Sequence, residues 1–191
     1  MRIIGGTSRG RRLAGLPGSG LRPTAGRVKE ALFNILSDKI PGARFLDLFA
    51  GAGAVGIEAL SRGAIQVTFV ESHPTVCRLL RDNLRRCGYE HGADIRQVPV
   101  AHFLKQQASD QAAQPYDIVF LDPPYHTQEG EKVLPSLGGG AIISSDGVVV
   151  IEHFHKTRLA DRIGHLALVK SYRYGDTFLS MYRQVPTEDS R

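Results

Sequence analysis

Several residue types that mark special structural classes are scarce or absent in this sequence. The 191 residues contain no Trp and only two Cys. The longest purely apolar run is about five residues, far short of the ~20 that a membrane-spanning helix needs, and the first residues lack the apolar segment of a secretory signal. Cys77 and Cys87 fall on one predicted helix, too far apart for a disulfide. These absences predict a cytoplasmic globular protein without membrane association.

Acidic residues are missing from the first 29 positions, which makes the N-terminus strongly basic. Those positions hold six Arg and one Lys, and the rest of the chain has 17 basic against 19 acidic residues. The planar guanidinium of Arg suits phosphate groups and base edges. A basic segment ahead of a mildly acidic body favours a polyanionic partner such as nucleic acid. A solvated Arg-rich loop would have the same composition.

Short apolar segments alternate with helical patterns from residue 44 to residue 152. Strands are predicted at 44–49, 66–71, 94–98, 117–121 and 147–152, and helices between them at 55–62, 74–87, 101–108 and 129–137; a further helix is predicted at 25–36, ahead of this region. This alternation predicts parallel strands with helical crossovers. The fold class is therefore α/β, a doubly wound sheet with helices on both faces, and its ligands should bind at the carboxyl ends of the strands.

Both ends of the chain depart from this alternation. Residues 2–4 and 11–14 predict a β-hairpin around a Gly-rich turn, and residues 166–172 and 177–183 predict an antiparallel pair joined by residues 173–176. We therefore divide the chain into a basic N-terminal hairpin or arm (1–23), a main domain (24–185) and a polar tail (186–191).

The first predicted strand of the main domain runs into a glycine-rich loop typical of nucleotide sites. Gly51, Gly53 and Gly56 have the G-x-G-x-x-G spacing, and Glu71 ends the next strand 20 residues after Gly51. A carboxylate there can accept hydrogen bonds from ribose hydroxyls. The pattern fits a dinucleotide or S-adenosylmethionine. Asp47 favours S-adenosylmethionine, because a carboxylate suits a cationic amine and opposes a pyrophosphate.

The fourth predicted strand ends in Asp122-Pro123-Pro124-Tyr125 at the expected ligand edge. Two prolines remove two N–H donors, so this loop offers carbonyl and carboxylate acceptors beside an aromatic ring. Such a site suits a planar base with an exocyclic amine. Asp122 and the Pro123 carbonyl would hold the two N–H groups, and Tyr125 would stack on the base.

These motifs and several N-terminal segments together resemble the RsmD family, bacterial enzymes that methylate the N2 amine of a guanine in 16S ribosomal RNA. The N-terminal segments are Arg2-Ile3-Ile4-Gly5-Gly6, Arg9-Gly10-Arg11-Arg12-Leu13, Leu21-Arg22-Pro23-Thr24 and the run from Arg27 to Asn34. Residues 58–64 add to the resemblance, which extends from Arg2 to about Tyr182, nearly the whole chain. The N-terminal signature is more specific than the glycine and Asp-Pro-Pro-Tyr motifs.

The resemblance implies a class I S-adenosylmethionine-dependent methyltransferase with a Rossmann-like, seven-stranded, mostly parallel sheet and an N-terminal β-hairpin. It also implies that Arg22-Pro23-Thr24 closes over the methionine end of the cofactor. The predicted cofactor residues are Arg22, Thr24, Asp47, Phe49, Ala50, Gly51, Gly53, Glu71 and Asp122. The predicted catalytic residues are Asp122, Pro123 and Tyr125, and the predicted RNA contacts are Arg9, Arg11, Arg12, Arg27 and Tyr174. Pro99 stands where these enzymes have a polar residue near adenine, so no side chain is assigned to adenine.

The predicted partner is 16S ribosomal RNA, in a 30S subunit or an assembly intermediate, and the predicted state is a monomer. Three alternatives remain at this point: a DNA adenine or cytosine amino-methyltransferase, a nicotinamide-dependent oxidoreductase, and a non-catalytic RNA-binding module. His153 and His155 alternate beside Glu152, but nothing completes a metal-ligand set. We predict no metal site.

Overall fold

The computed structural model describes residues 1–15, 26–124 and 127–185. Its helices are α1 (Gly26–Ile35), α2 (Ala54–Ser61), α3 (Pro74–Cys87), α4 (Val100–Ser109) and α5 (Glu129–Leu137). Its strands are β1 (Arg44–Leu48), β2 (Gln66–Val70), β3 (Ala93–Arg96), β4 (Tyr116–Leu121), β5 (Ile143–Phe154), β6 (Arg162–Ile163), β7 (Leu166–Tyr174) and β8 (Thr177–Gln184). Short 3₁₀ turns occupy Ser37–Lys39 and Glu90–Gly92. None of these helices has the length and apolarity needed to cross a bilayer.

All of these strands form one sheet in the order β3-β2-β1-β4-β5-β8-β7-β6. Strands β1 to β5 pair in parallel, whereas β8 lies antiparallel to both β5 and β7. The α/β class and the C-terminal antiparallel pair are confirmed. The seven strands predicted outside the N-terminal hairpin are all present, and the structure adds the two-residue strand β6, which is too short to produce a recognisable alternation.

Buried side chains form a hydrophobic layer on each face of the sheet. One layer joins the sheet to α1, α2, α3 and the N-terminal hairpin, and the other joins it to α4 and α5. Helix α3 has its predicted bounds because Pro74 occupies its first turn and Gly88 ends it with φ of 74°. The helices on both faces leave the carboxyl ends of the central strands accessible.

The N-terminal hairpin, residues 1–14, packs into this core through Ile3 and Leu13, both buried. Its two predicted strands are reduced to a single antiparallel bridge between Arg2 and Arg12. The predicted division between residues 23 and 24 and the tail at 186–191 lie outside the described residues.

A buried carboxylate on α2 explains why the hairpin is not a longer ladder. Glu58 is fully buried and accepts the Ile4 and Gly5 N–H groups at 2.8 and 2.7 Å. Its charge is balanced by Lys29 Nζ at 3.1 Å and Arg62 Nε at 2.9 Å. The N–H groups of Ile4 and Gly5 are thus bonded to the domain, whereas those of Ile3 and Leu13 still donate across the hairpin to the Arg11 and Met1 carbonyls. One of the seven N-terminal cations, Lys29, is buried in this ion pair.

Candidate functional site

A cavity of about 1140 Å³ opens at the carboxyl ends of β1, β2 and β4, where the strand order reverses. Six of the nine predicted cofactor residues line it: Asp47, Phe49, Ala50, Gly51, Glu71 and Asp122. Gly53 is not among the lining residues, and Arg22 and Thr24 lie outside the described residues. The cavity is large enough for a nucleoside-sized ligand.

The glycine loop, residues 49–53, has an unusual backbone. Phe49 has φ of 61° and is the only non-glycine residue with positive φ in the described part of the chain. An aromatic residue in the left-handed region is strained, and such strain concentrates at functional sites. Gly51 also has positive φ, and a Cβ built on it meets no atom within 4 Å. The loop therefore presents bare backbone to the cavity at Gly51.

Gly53, a predicted cofactor residue, has a packing role in the structure. It lies at the start of α2 with φ of 82°, and a Cβ built on it would overlap the Leu80 side chain of α3. Its missing side chain therefore permits packing of α2 on α3. A direct role for Gly53 in cofactor binding stays a prediction.

Asp47 is buried at the end of β1, and its Oδ2 accepts the Gly56 N–H at 2.8 Å. Gly56 is the third residue of α2, so this carboxyl satisfies a helix N-terminus that lacks a cap from its own N-cap residue. Burial raises the pKa of Asp47 to about 8; the Gly56 N–H opposes this shift and the charge of Glu71 adds to it. A cation in the cavity would favour the ionised form.

Glu71 fastens the glycine loop to the end of β2. Its Oε2 accepts the Gly51 N–H at 3.1 Å, and its Oε1 accepts the His73 N–H at 2.8 Å. The side chain lines the cavity, and each carboxylate oxygen has a second lone pair. Glu71 can therefore hold the loop and accept hydrogen bonds from a ligand at the same time.

Asp122 and Pro123 enter the cavity directly from β4. Leu121, the preceding residue, pairs with Leu48 of β1, so Asp122 stands beside the start of the glycine loop. A Cβ on Gly130 of α5 would lie 2.7 Å from Pro123 Cγ, so this glycine lets α5 pack tightly under the proline. Gly130 is not among the predicted site residues. Tyr125 lies outside the described residues.

The start of α4 forms the cavity wall at Pro99, the position for which no side chain is assigned to adenine. Pro99, Val100 and Ala101 line the cavity, and Pro99 is the N-cap of α4. The first N–H groups of a helix have no intrahelical partner. This wall therefore combines apolar surface with backbone donors, consistent with the absence of an assigned side chain.

The N-terminal hairpin spans the length of the helical layer. At its open end, Met1 and the residue that follows the hairpin, Gly15, line the cavity. Near its tip, the Thr7 N–H donates to the Ser61 carbonyl at 2.8 Å and the Thr7 hydroxyl lies 2.9 Å from that of Tyr89. Ser61 ends α2, and Tyr89 follows the end of α3. The tip therefore lies at the edge of the molecule opposite the cavity.

The predicted RNA contacts do not form one cluster. Arg9, Arg11, Arg12 and Arg27 are exposed, but Arg9 lies near the hairpin tip, away from the cavity. Arg11 Nη1 donates to the Arg86 carbonyl near the end of α3. An RNA that reached both the cavity and Arg9 would have to run along the hairpin.

Tyr174 lies at the cavity edge of the sheet instead. It ends β7 and pairs with Thr177 of β8, which in turn pairs with Phe154 at the carboxyl end of β5. The topology therefore brings the 173–176 turn to the sheet edge that carries Asp122. Tyr174 is half-buried and packs against the hydrophobic layer that includes α1, α2 and α3.

His153 on β5 contacts two residues of the neighbouring strand β8. Its Nε2 lies 2.8 Å from Ser180 Oγ, and its ring stacks on Phe178. Burial lowers the pKa of His153. In the described part of the chain, no group of three His, Cys, Asp or Glu residues is arranged to hold a metal ion.

Comparison with known proteins identifies the family of this chain. Residues 1–183 match the family described as Conserved hypothetical protein 95. Ribosomal RNA small subunit methyltransferase D of Haemophilus influenzae is 43% identical over 155 residues, 80% of this chain and 78% of that protein. The same-named protein of Escherichia coli (strain K12) is 37% identical over 152 residues, 80% of this chain and 74% of that protein. The solved structure of yhhF from Escherichia coli superposes with a TM-score of 0.84 at 33% identity, covering 96% of this chain and 97% of that one. The chain belongs to the Conserved hypothetical protein 95 family, the RsmD family.

Proposed function

We propose that this protein transfers a methyl group from S-adenosylmethionine to the N2 amine of a guanine in 16S ribosomal RNA. The observation that carries the proposal is the position of Asp122 and Pro123 on the same cavity as the glycine loop and Glu71. Family membership supports the coarser function, methylation of small-subunit ribosomal RNA with S-adenosylmethionine. It argues against the oxidoreductase and the non-catalytic binding module.

The cavity residues fit this cofactor. Glu71 offers acceptors to ribose hydroxyls, and the bare backbone at Gly51 allows close approach of a nucleoside. Asp47 becomes a carboxylate most readily beside a cation, and the cofactor has both a sulfonium and an ammonium group. We propose that Arg22 and Thr24 complete the methionine end of the site.

The chemistry assigned to Asp122 follows from the electronic state of the target amine. The lone pair of an exocyclic amine is delocalised into the base, so the amine is a weak nucleophile. The bound cofactor supplies an electrophilic methyl group. Asp122 and the Pro123 carbonyl would accept the two N–H groups, turn the lone pair toward that methyl group and stabilise the positive charge that develops on nitrogen. As the N–C bond forms, the S–CH3 bond would break and S-adenosylhomocysteine would leave, and the methylated nitrogen would then lose one proton to solvent. Tyr125 stacks on the base.

We propose that RNA contacts the exposed Arg9, Arg11, Arg12 and Arg27 along the hairpin and Tyr174 at the cavity edge. An RNA that contacts both the hairpin arginines and Tyr174 must reach from the hairpin to the cavity edge. Ribosomal RNA in a 30S subunit or an assembly intermediate suits this requirement. The proposed location is the cytoplasm, and the proposed active species is the monomer, which light scattering of the active preparation would test.

The decisive experiment offers labelled S-adenosylmethionine with 16S ribosomal RNA, 30S particles and DNA in separate reactions. After digestion to nucleosides, we expect label in N2-methylguanosine from at least one of the two ribosomal substrates. Label in N6-methyladenine or N4-methylcytosine from DNA would overturn the proposal in favour of a DNA amino-methyltransferase.

A further inference from the structure

Asn83 is a fully buried amide on α3, outside the residues assigned to the site. Its Nδ2 donates to the carbonyl of Ala14 and to that of Ala52, both at 3.0 Å. Its Oδ1 accepts the Ala14 N–H at 2.9 Å. Both N–H donors and one acceptor of this side chain are therefore used on backbone groups of two other segments.

The two segments face different ligands of the proposed reaction. Ala52 belongs to the glycine loop and lines the cavity. Ala14 is the last residue of the N-terminal hairpin, and Gly15, which follows it, lines the same cavity. One buried amide thus connects the backbone that meets the cofactor to the hairpin that carries the exposed Arg9, Arg11 and Arg12.

We propose that Asn83 is a positioning residue that couples RNA binding at the hairpin to cofactor binding at the glycine loop. This inference rests on the proposed function, because it takes RNA as the ligand of the hairpin. The two N–H groups of an amide lie in one plane and point in fixed directions. A shift of the hairpin relative to the glycine loop would break at least one of these bonds inside the protein, where an unpaired carbonyl is costly.

The expected consequence is reciprocal. RNA that holds the hairpin in its docked position also holds Ala52, so the glycine loop is already ordered when the cofactor arrives. Cofactor affinity should then rise when RNA is bound, and RNA affinity should rise by the same factor when cofactor is bound.

Other contacts hold the hairpin without reaching the glycine loop, and they supply a control. The Tyr89 hydroxyl lies 2.8 Å from Ser8 Oγ and 2.9 Å from Thr7 Oγ1, near the hairpin tip. Tyr89→Phe removes this anchor and leaves the bonds of Asn83 in place. Asn83→Asp keeps the shape and the acceptor for the Ala14 N–H, but sets a carboxyl oxygen against two carbonyls.

The test measures S-adenosylhomocysteine affinity by calorimetry, with and without the ribosomal substrate, 16S transcript or 30S particle, that the parent protein methylates. We expect that RNA tightens binding by roughly fivefold or more in the parent and in Tyr89→Phe. In Asn83→Asp the ratio should fall to within twofold of unity. Amide exchange of residues 50–56 in the parent, without cofactor, should slow when the same RNA is added, and this readout needs no variant to fold.

Three results would overturn the inference. They are a parent without coupling and without exchange protection, an Asn83→Asp variant with parental coupling, and equal loss of coupling in Tyr89→Phe. Methyl transfer by the parent separates this inference from the proposed function. An active parent without coupling refutes the role of Asn83 alone, whereas a parent that methylates neither ribosomal substrate refutes the proposed function and this inference with it.

Discussion

At the scale of single residues, Asp122 has the most direct expected effect on turnover. Its carboxylate is proposed to hold the target amine, so Asp122→Ala should lower the rate of methyl transfer by roughly 10²–10³-fold, as for loss of one preorganised polar group. S-adenosylhomocysteine affinity should change little. Rate and affinity are measured on one preparation, with Asp146→Ala as the control because Asp146 is exposed near the amino end of β5 and does not line the cavity. Activity of Asp122→Ala within a few-fold of the parent would contradict the assignment.

The raised pKa of Asp47 predicts that the stability of the cofactor-free protein depends on pH. Burial raises its pKa from 3.8 to about 8, so between these values the folded protein binds a proton that the unfolded chain does not. The contribution of this bound proton to the free energy of unfolding is fully present below about pH 4 and is lost as pH rises toward 8.

The matched variant for this prediction is Asp47→Asn, which keeps an acceptor for the Gly56 N–H and cannot titrate. Urea unfolding at pH 5, 6.5 and 8 should show the free energy of unfolding of the parent falling relative to that of the variant as pH rises. A constant difference across the three pH values would mean that Asp47 does not titrate in this range.

At the scale of elements, Gly51 and Gly53 both have positive φ, but their missing side chains serve different purposes. Gly51 leaves space in the cavity, and Gly53 leaves space for the contact between α2 and α3. Gly51→Ala places a methyl group in the cavity and should weaken S-adenosylhomocysteine binding more than folding. Gly53→Ala forces Leu80 to move and should lower the free energy of unfolding by roughly 1–3 kcal/mol.

A double variant identifies the cause of the Gly53 effect. If the overlap with Leu80 is responsible, Gly53→Ala with Leu80→Ala should be less destabilised than the sum of the single changes. Chemical unfolding and calorimetry are run on all four proteins. Strict additivity would show that backbone strain, and not the contact with α3, sets the cost.

At the scale of the whole molecule, the hairpin extends the proposed RNA surface from the cavity to the opposite edge. Replacing Arg9, Arg11 and Arg12 with Ala should make the slope of log K against log salt shallower by roughly 0.7 per lost phosphate contact on single-stranded RNA. Binding should weaken for all RNA sequences alike, and S-adenosylhomocysteine affinity should be retained.

Filter binding over a salt series measures this slope. Lys105→Ala is the control, because Lys105 is an exposed cation on α4, on the other face of the sheet. If the triple variant has the slope and affinity of the parent, the hairpin arginines are solvated surface residues and RNA binds elsewhere.

Local patterns determined much of this protein. The bounds of α3 follow from helical spacing together with Pro74 and Gly88, and those of α5 from helical spacing, because these signals act within one or two turns. The alternation of strands and helices placed Asp47, Glu71 and Asp122 at the carboxyl ends of parallel strands, and such ends share one edge of a sheet. The cavity position of these residues was therefore predictable without coordinates.

Contacts between residues distant in sequence were decided only by the tertiary structure. Strand β5 begins at Ile143, earlier than predicted, because Ile143 pairs with Tyr116 of β4 ahead of a register shift, and residues 144–147 within that shift carry no strand pattern. Glu58 and Asn83 have the spacing of ordinary helix residues, and only their burial against the hairpin shows what they hold. Gly53 fits a nucleotide motif but its missing side chain accommodates Leu80. Sequence spacing indicates which residues lie at the edge of the sheet or on one face of a helix. The partner of each side chain depends on elements that meet only in the folded chain.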